Sequence, residues 1–206
     1  MTRILVMGFG PFGQVIENPT DLMVRQLGSK DSDLECRVLR TSYRYVQAKL
    51  PSLLEQFEPD AVVIFGYANS ADSIRLEVVA KNRLDTSLRD IEGRHAESLV
   101  LPGAPEQYST TLPIPNIEQA LALHGMESTR SNDAGGFVCN YSFFLLMNAT
   151  VAQGVTFAGL IHVPNPELYR KRHQRDLDLD QCAEVVISTV KEVVGLDRPN
   201  GPLTQS

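Results

Sequence analysis

The residue best placed for chemistry in this sequence is a cysteine that follows a short polar segment with two glycines. Residues 131–140 read SNDAGGFVCN, and the apolar pattern that follows predicts a helix over 140–152. A thiol at the start of a helix lies at the positive end of the helix dipole, which favours the reactive thiolate. The unpaired N–H groups there can also receive the oxyanion of an acyl-transfer reaction. Cys139 is therefore a candidate nucleophile, although a small buried cysteine fits the local sequence equally well.

Two further residues have the chemistry to act with that thiol. His162 ends the buried-strand pattern Gly159-Leu160-Ile161 and precedes Val163-Pro164, and α/β sheets place ligands and catalysts at the carboxyl ends of their strands. A histidine in this position can take the thiol proton. Glu77 lies in the apolar run 74–80, where its carboxylate could fix the imidazole tautomer and stabilise the imidazolium. The alternatives are a structural histidine and a surface glutamate paired with a cation.

A glycine-rich motif near the start of the chain resembles a dinucleotide fingerprint. Residues 8–13 read GFGPFG after a predicted strand, which matches G-x-G-x-x-G. Pro11 lacks the N–H group that a phosphate would need, and the next helix can hardly begin before Asn18-Pro19, a good N-cap followed by proline at the first helical position. We therefore reject dinucleotide binding and interpret Phe9 and Phe12 as an apolar wall beside the sheet. Burial in the core is the alternative for both rings.

The elements that would position these residues follow a strand–helix alternation. Apolar, β-branched runs predict strands at 3–7, 34–40, 61–66 and 156–162, and amphipathic segments predict helices near 20–28, 43–57, 116–124, 140–152 and 180–194. This alternation predicts a three-layer α/β/α sandwich with a mostly parallel twisted sheet, plus a small β excursion around residues 73–101. At 206 residues the chain fits one domain, 1–206, and we expect its tail after about residue 196 to be loose.

Composition excludes several classes of protein. The formal net charge of -6 argues against a nucleic-acid or acidic-membrane partner, because phosphate binding requires a basic surface. The densest basic run, 170–175, is followed at once by acidic residues and is interpreted as a solvated loop and helix start. No apolar stretch reaches the ~18 residues of a membrane span. The short apolar run at 4–7 lacks the pattern of a signal peptide and is interpreted as a strand.

The cysteines bear on the cellular compartment. Cys36, Cys139 and Cys182 are odd in number and widely spaced, so they form neither a disulfide framework nor a metal-binding knuckle. We therefore expect a cytoplasmic protein with reduced thiols.

Four segments together resemble the pyroglutamyl peptidase I family of cysteine peptidases, in the family's order and at about its spacing over nearly the whole chain. They are 8–13 with Asn18-Pro19, 77–82 (EVVAKN), 131–140 and 161–164 (IHVP). The resemblance implies an open α/β/α sandwich that removes N-terminal pyroglutamate from peptides without metal or cofactor, and an oligomer, often a homotetramer. By matching position it implies that Cys139 is the nucleophile, His162 the general base and Glu77 the carboxylate that orients this base. It also implies a pocket for the lactam ring lined by Phe9, Phe12, Phe137 and Val138.

The sequence departs from the family pattern near the expected site. Tyr67 stands where many relatives have Gln or Leu, and Ser87 stands where relatives typically carry an active-site arginine. Losing one transition-state donor can slow a reaction by ~100–1,000-fold. Two alternatives to a pyroglutamyl peptidase therefore remain open: a cysteine amide hydrolase of shifted specificity, and a non-catalytic family member that binds a ligand in the Phe-lined pocket.

Overall fold

The structure, a computed structural model, describes residues 2–197, so the predicted loose tail lies almost wholly outside the described residues. Within this range the chain forms eight strands and six helices. The strands are β1 (Ile4–Phe9), β2 (Leu34–Leu39), β3 (Ala61–Ala68), β4 (Ile74–Glu77), β5 (Val79–Lys81), β6 (Gln107–Ser109), β7 (Ser128–Ser131) and β8 (Phe157–Pro164). The helices are α1 (Pro19–Lys30), α2 (Tyr43–Phe57), α3 (Ile114–Leu123), α4 (Val138–Gln153), α5 (Pro166–His173) and α6 (Leu179–Asp197).

Six of the strands form one central sheet in the order β2-β1-β3-β8-β4-β7. The first four strands in this order run parallel, whereas β4 pairs with β8 antiparallel and β7 pairs with β4 parallel. The predicted mostly parallel sheet and α/β class are therefore confirmed. The predicted β excursion begins inside the sheet, because β4 is one of its strands, and only the β5–β6 pair forms a separate small sheet.

The sheet separates two apolar cores, and alternate residues of each strand enter opposite ones. In β8, Ile161 and Val163 pack in the core formed with α1, α3 and α6, whereas Ala158 and Leu160 pack in the core formed with α2 and α4. This alternation follows from the two-residue period of a strand whose faces are both covered. His162 has the same parity as Leu160, so it faces the α2–α4 side.

The glycine-rich motif brings α1 close against β1. A Cβ on Gly8 would lie 2.5 Å from the backbone oxygen of Thr20, so this contact requires glycine. Asn18 caps α1 by accepting from the N–H of Thr20, and its side-chain amide donates to the carbonyl of Gly10 at 2.9 Å. The helix end that a pyrophosphate would use is thus capped by the chain itself.

Two short elements differ from the predictions. The basic run at 170–173 forms the last turn of α5 rather than a loop before α6, and its cations lie at the negative end of that helix. β7 is a polar edge strand of four residues, STRS, with no apolar pattern to predict it. Within residues 2–197, no helix combines the length and the apolar character needed to cross a membrane.

Candidate active site

Strand pairing brings His162 and Glu77 together. β4 and β8 run antiparallel with Arg75 opposite His162 and Glu77 opposite Leu160, so the two side chains share one face and lie diagonally across the strands. Nδ1 of His162 donates to Oε1 of Glu77 at 2.8 Å. Glu77 is fully buried and His162 is 5% exposed, so this pair is shielded from water. The second carboxylate oxygen, Oε2, is also buried and has no hydrogen-bond partner within the described residues.

Helix α4 presents the thiol to this pair. Cys139 is the second residue of the helix, and the capping residue, Phe137, makes no side-chain hydrogen bond to the helix end. The N–H groups of the first turn therefore have no intrahelical acceptor and remain available. A Cβ placed on Gly66 would lie 2.8 Å from Nε2 of His162 and 3.1 Å from Sγ of Cys139. The imidazole and the thiol thus meet above a strand position that has no side chain.

The protonation of His162 depends on burial, on hydrogen bonds and on nearby negative charges. Burial lowers the pKa of His162, but hydrogen bonds to Cys139 and Glu77 and the negative charge of both groups outweigh burial and raise the pKa to about 9. At neutral pH the imidazole is therefore protonated between the carboxylate and the sulfur. An imidazolium in this position stabilises a thiolate and holds a proton for a leaving group.

Four aromatic side chains form a cluster beside Cys139. The rings of Phe12 and Phe137 are 6.1 Å apart, Phe137 meets the edge of Tyr43 at 5.9 Å, and Tyr43 meets the edge of Tyr141 at 5.2 Å. Of the four residues expected to line an apolar pocket, Phe12 and Phe137 are half-buried and in contact. The other two, Phe9 and Val138, are almost fully buried in the α2–α4 core and lie beneath the surface of the site.

The side chain of Asn140 holds a neighbouring segment against the start of α4. Its amide nitrogen donates to the carbonyls of Lys81 and Arg83 at 2.8 and 3.0 Å, and its oxygen accepts from the N–H of Lys81 at 3.0 Å. Asn140 is fully buried, so these bonds fix segment 81–83 beside the candidate nucleophile.

The two residues that depart from the family pattern occupy different environments. Tyr67 packs on the α1–α3–α6 core, on the opposite face of the sheet from His162, and its hydroxyl donates to Asn69 at 2.9 Å. Ser87 lies in an exposed turn where its hydroxyl donates to Asp85 Oδ1 at 2.6 Å. The Tyr67 ring is therefore directed away from the thiol and imidazole, and the Ser87 hydroxyl is already engaged.

Three residues of this site had no role in the sequence-based prediction. Gly66 could have been noticed as a glycine at the end of an apolar strand, and Asn140 as a polar residue at the start of an apolar helix. Tyr43 gave no signal, because its proximity to Phe137 depends on the packing of α2 against α4. Of the other histidines, His173 contacts Ser73 at 3.1 Å, and His124 at the end of α3 contacts the carbonyl oxygen of Ala120 at 2.9 Å.

Comparison with known proteins identifies similar chains over almost the full length. The family model described as pyroglutamyl peptidase matches residues 2–194. The pyrrolidone-carboxylate peptidase of Pyrococcus furiosus is 33% identical over 199 residues, covering 93% of this chain and 96% of the relative. The Brevibacillus brevis protein of the same name is 32% identical over 205 residues, covering 96% and 95% of the two chains.

A solved structure supports the same relationship. The crystal structure of pyrrolidone carboxyl peptidase from P. furiosus superposes with a TM-score of 0.84 at 30% sequence identity. The match covers 94% of this chain and 100% of that one.

Proposed function

This chain belongs to the pyroglutamyl peptidase family of cysteine peptidases, and we propose that it hydrolyses the amide bond after an N-terminal pyroglutamate with Cys139, His162 and Glu77. The single observation that carries the assignment of residues is the meeting of Sγ and Nε2 above Gly66, with Glu77 bonded to the far nitrogen of the same ring. No metal or cofactor takes part in the proposed reaction.

Acylation is the first half of the proposed reaction. The Cys139 thiolate attacks the carbonyl carbon after pyroglutamate, forming a C–S bond and an oxyanion. The open N–H groups at the start of α4 stabilise that oxyanion. The C–N bond then breaks as the His162 imidazolium gives its Nε2 proton to the leaving amine. A thioester remains on Cys139, and His162 is neutral.

Deacylation restores the starting state. Neutral His162 takes a proton from a water molecule, whose oxygen attacks the thioester carbonyl. The C–S bond breaks, the thiolate leaves, and the acyl group departs as pyroglutamic acid, which loses the remaining water proton to solvent and becomes the carboxylate. Glu77 stabilises the imidazolium that forms again and keeps Nδ1 protonated throughout. The carboxylate acts through the imidazole and does not contact the substrate.

The test is turnover of a pyroglutamyl fluorogenic amide by the wild type and by Cys139→Ala. We expect turnover to vanish in Cys139→Ala and to persist in Cys182→Ala, which removes a fully buried thiol in α6. Persistent turnover in Cys139→Ala would overturn the assignment of the nucleophile. Absence of turnover in the wild type, with cleavage of another acyl amide, would favour the hydrolase of shifted specificity.

A non-catalytic role makes a separate prediction. A protein that only binds a ligand in the Phe-lined pocket would show no covalent acyl intermediate on Cys139. Mass spectrometry of acid-quenched reactions with the fluorogenic amide should show an acyl adduct on the wild type and none on Cys139→Ala.

The cellular setting and assembly form the last part of the proposal. We propose that residues 1–206 form a single domain that works in the cytoplasm, where the reactive thiol stays reduced. Its substrates are small peptides, it has no nucleic-acid or membrane partner, and it assembles as a homo-oligomer. The three cysteines are unpaired in the structure, which supports a reducing compartment. Light scattering coupled to size-exclusion chromatography should give a mass above that of one chain, and a monomeric mass would contradict the assembly.

A further inference from the structure

Tyr43 carries a buried hydroxyl that has no partner within the described residues. It is the first residue of α2 and is 7% exposed, and its phenolic oxygen is buried without a hydrogen bond. Buried polar groups in native proteins are nearly always paired, so each exception needs an explanation. A hydroxyl that the folded chain leaves unpaired is available to a group that the chain does not provide.

The ring that carries this hydroxyl belongs to the aromatic cluster. The Tyr43 ring meets Phe137 at 5.9 Å and an interplanar angle of 83°, and Phe137 in turn contacts Phe12. The backbone N–H of Tyr43 donates to Asp90 Oδ2 at 3.1 Å, and Ser42 caps the helix that begins here. The ring is therefore fixed by its backbone as well as by its neighbours, which is the rigidity that a recognition group requires.

The acyl group of the proposed reaction presents a flat ring with one carbonyl acceptor and one N–H donor. Phenylalanine walls alone would bind a cyclopentyl ring about as well, because they have no hydrogen-bonding group. We propose that the Tyr43 hydroxyl recognises the lactam by donating a hydrogen bond to its carbonyl oxygen, and is thus a specificity-determining group of the site. This inference rests on the proposed function and specifies how the acyl group is selected.

Protonation and access are both consistent with a donor role. Burial raises the pKa of Tyr43 well above its ordinary value, and the negative charges of Asp90, Asp85 and Cys139 raise it further, so the phenol keeps its proton. The Phe12 and Phe137 rings are 6.1 Å apart, less than the ~7 Å that a flat ring in contact with both would need. A ring stacked between them would therefore separate these two rings, which are both half-buried and both lie outside the named helices and strands.

The experiment compares Tyr43→Phe with the wild type. The change removes the hydroxyl and keeps the ring. The measurements are kcat and KM for the pyroglutamyl fluorogenic amide, and calorimetric Kd values for 2-pyrrolidone and for cyclopentanecarboxamide, whose ring lacks the lactam atoms. We expect KM and the pyrrolidone Kd to rise about 10–100-fold, as for one lost hydrogen bond. The cyclopentanecarboxamide Kd should not change, and Tm should not fall, because no bond in the unliganded protein is broken.

Tyr45→Phe is the matched control, since it removes the hydroxyl of a ring on the same helix that lies outside the aromatic cluster, and it should leave all these values unchanged. Unchanged pyrrolidone affinity in Tyr43→Phe would overturn the proposal. Equal weakening of both ligands together with a lower Tm would also overturn it, because it would show a packing role. Lack of turnover by the wild type would count against the proposed function, whereas the pyrrolidone Kd values would still decide the role of Tyr43.

Discussion

Gly66 and His162 pair directly across the parallel strands β3 and β8, and the imidazole occupies the space where a side chain at position 66 would lie. A Cβ there would be 2.6 Å from Cδ2 of the imidazole and 2.8 Å from its Nε2. Such distances are shorter than real Cβ contacts, so one of the two residues would have to move. The absence of a side chain at 66 is thus a structural requirement of the thiol–imidazole contact.

We expect Gly66→Ala to lower kcat/KM by about 100-fold or more, because displacement of a catalytic group by ~1 Å can cost that much. Steady-state kinetics on the pyroglutamyl amide measure this effect. Gly195→Ala is the control, since a Cβ at that position in α6 meets nothing within 4 Å. It should leave kcat/KM unchanged and stabilise the helix by about 0.5–1 kcal/mol. Normal activity in Gly66→Ala would show that the imidazole position is not critical.

Replacement of Glu77 should change the pH dependence of both activity and stability. The pKa of folded His162 is raised from 6.5 to about 9, so its protonation stabilises the native state fully below pH 6.5, and this stabilisation is lost as the pH rises through 9. Glu77→Gln removes a carboxylate that favours the imidazolium. We expect kcat/KM to fall about 10²–10⁴-fold and its alkaline limb to move to lower pH.

Stability measurements provide the second readout for Glu77→Gln. Between pH 6.5 and 9 the unfolding free energy of the variant should decline less with pH than that of the wild type, as urea titrations at several pH values would show. Glu118→Gln removes an exposed carboxylate that pairs with Arg130 at 2.7 Å and should keep the wild-type pH profile. An alkaline limb that stays in place in Glu77→Gln would contradict the assigned role of the carboxylate.

Alkylation should distinguish Cys139 from the other two thiols. Burial raises the pKa of Cys36 to about 11 and that of Cys182 to about 12, so at pH 7 a fraction of only ~10⁻⁴ or less of either is thiolate. Cys139 lies next to an imidazolium and is partly exposed. We expect iodoacetamide to modify Cys139 at least about 100-fold faster, as peptide mapping would show. Comparable rates at Cys36 would refute an activated nucleophile.

Loss of the Asn140 side chain should destabilise the protein. Asn140→Ala removes three hydrogen bonds and leaves the Lys81 and Arg83 backbone groups without their partner. Each buried group left unpaired costs about 1–3 kcal/mol, so we expect a clear loss in the unfolding free energy and lower activity. Asn148→Ala, which removes a single acceptor for the Tyr108 hydroxyl, should cost less. Equal losses of unfolding free energy in the two variants would contradict the role of Asn140 in holding segment 81–83 against α4.

The sequence allowed correct prediction of the elements with strong local patterns. The helix at 43–57 has the predicted bounds, and β1, β2, β3 and β8 overlap the four predicted strands. β7 and α5 were missed because STRS has no apolar period and α5 buries only Tyr169. The reversal of β4 was also missed, since strand direction depends on pairing between distant segments rather than on local propensity.

The sequence by itself determined which residue types were available: a cysteine at the start of a helix, a histidine at the end of a buried strand and a carboxylate within an apolar run. Tertiary structure decided that the three converge. The run at 157–163 is apolar on both sides of His162, so nothing local shows which core His162 faces. That choice follows from the register of β8 against β3 and β4, which pairs residues 83–96 positions apart. Only long-range packing could therefore place Glu77, Gly66 and Tyr43 around the thiol.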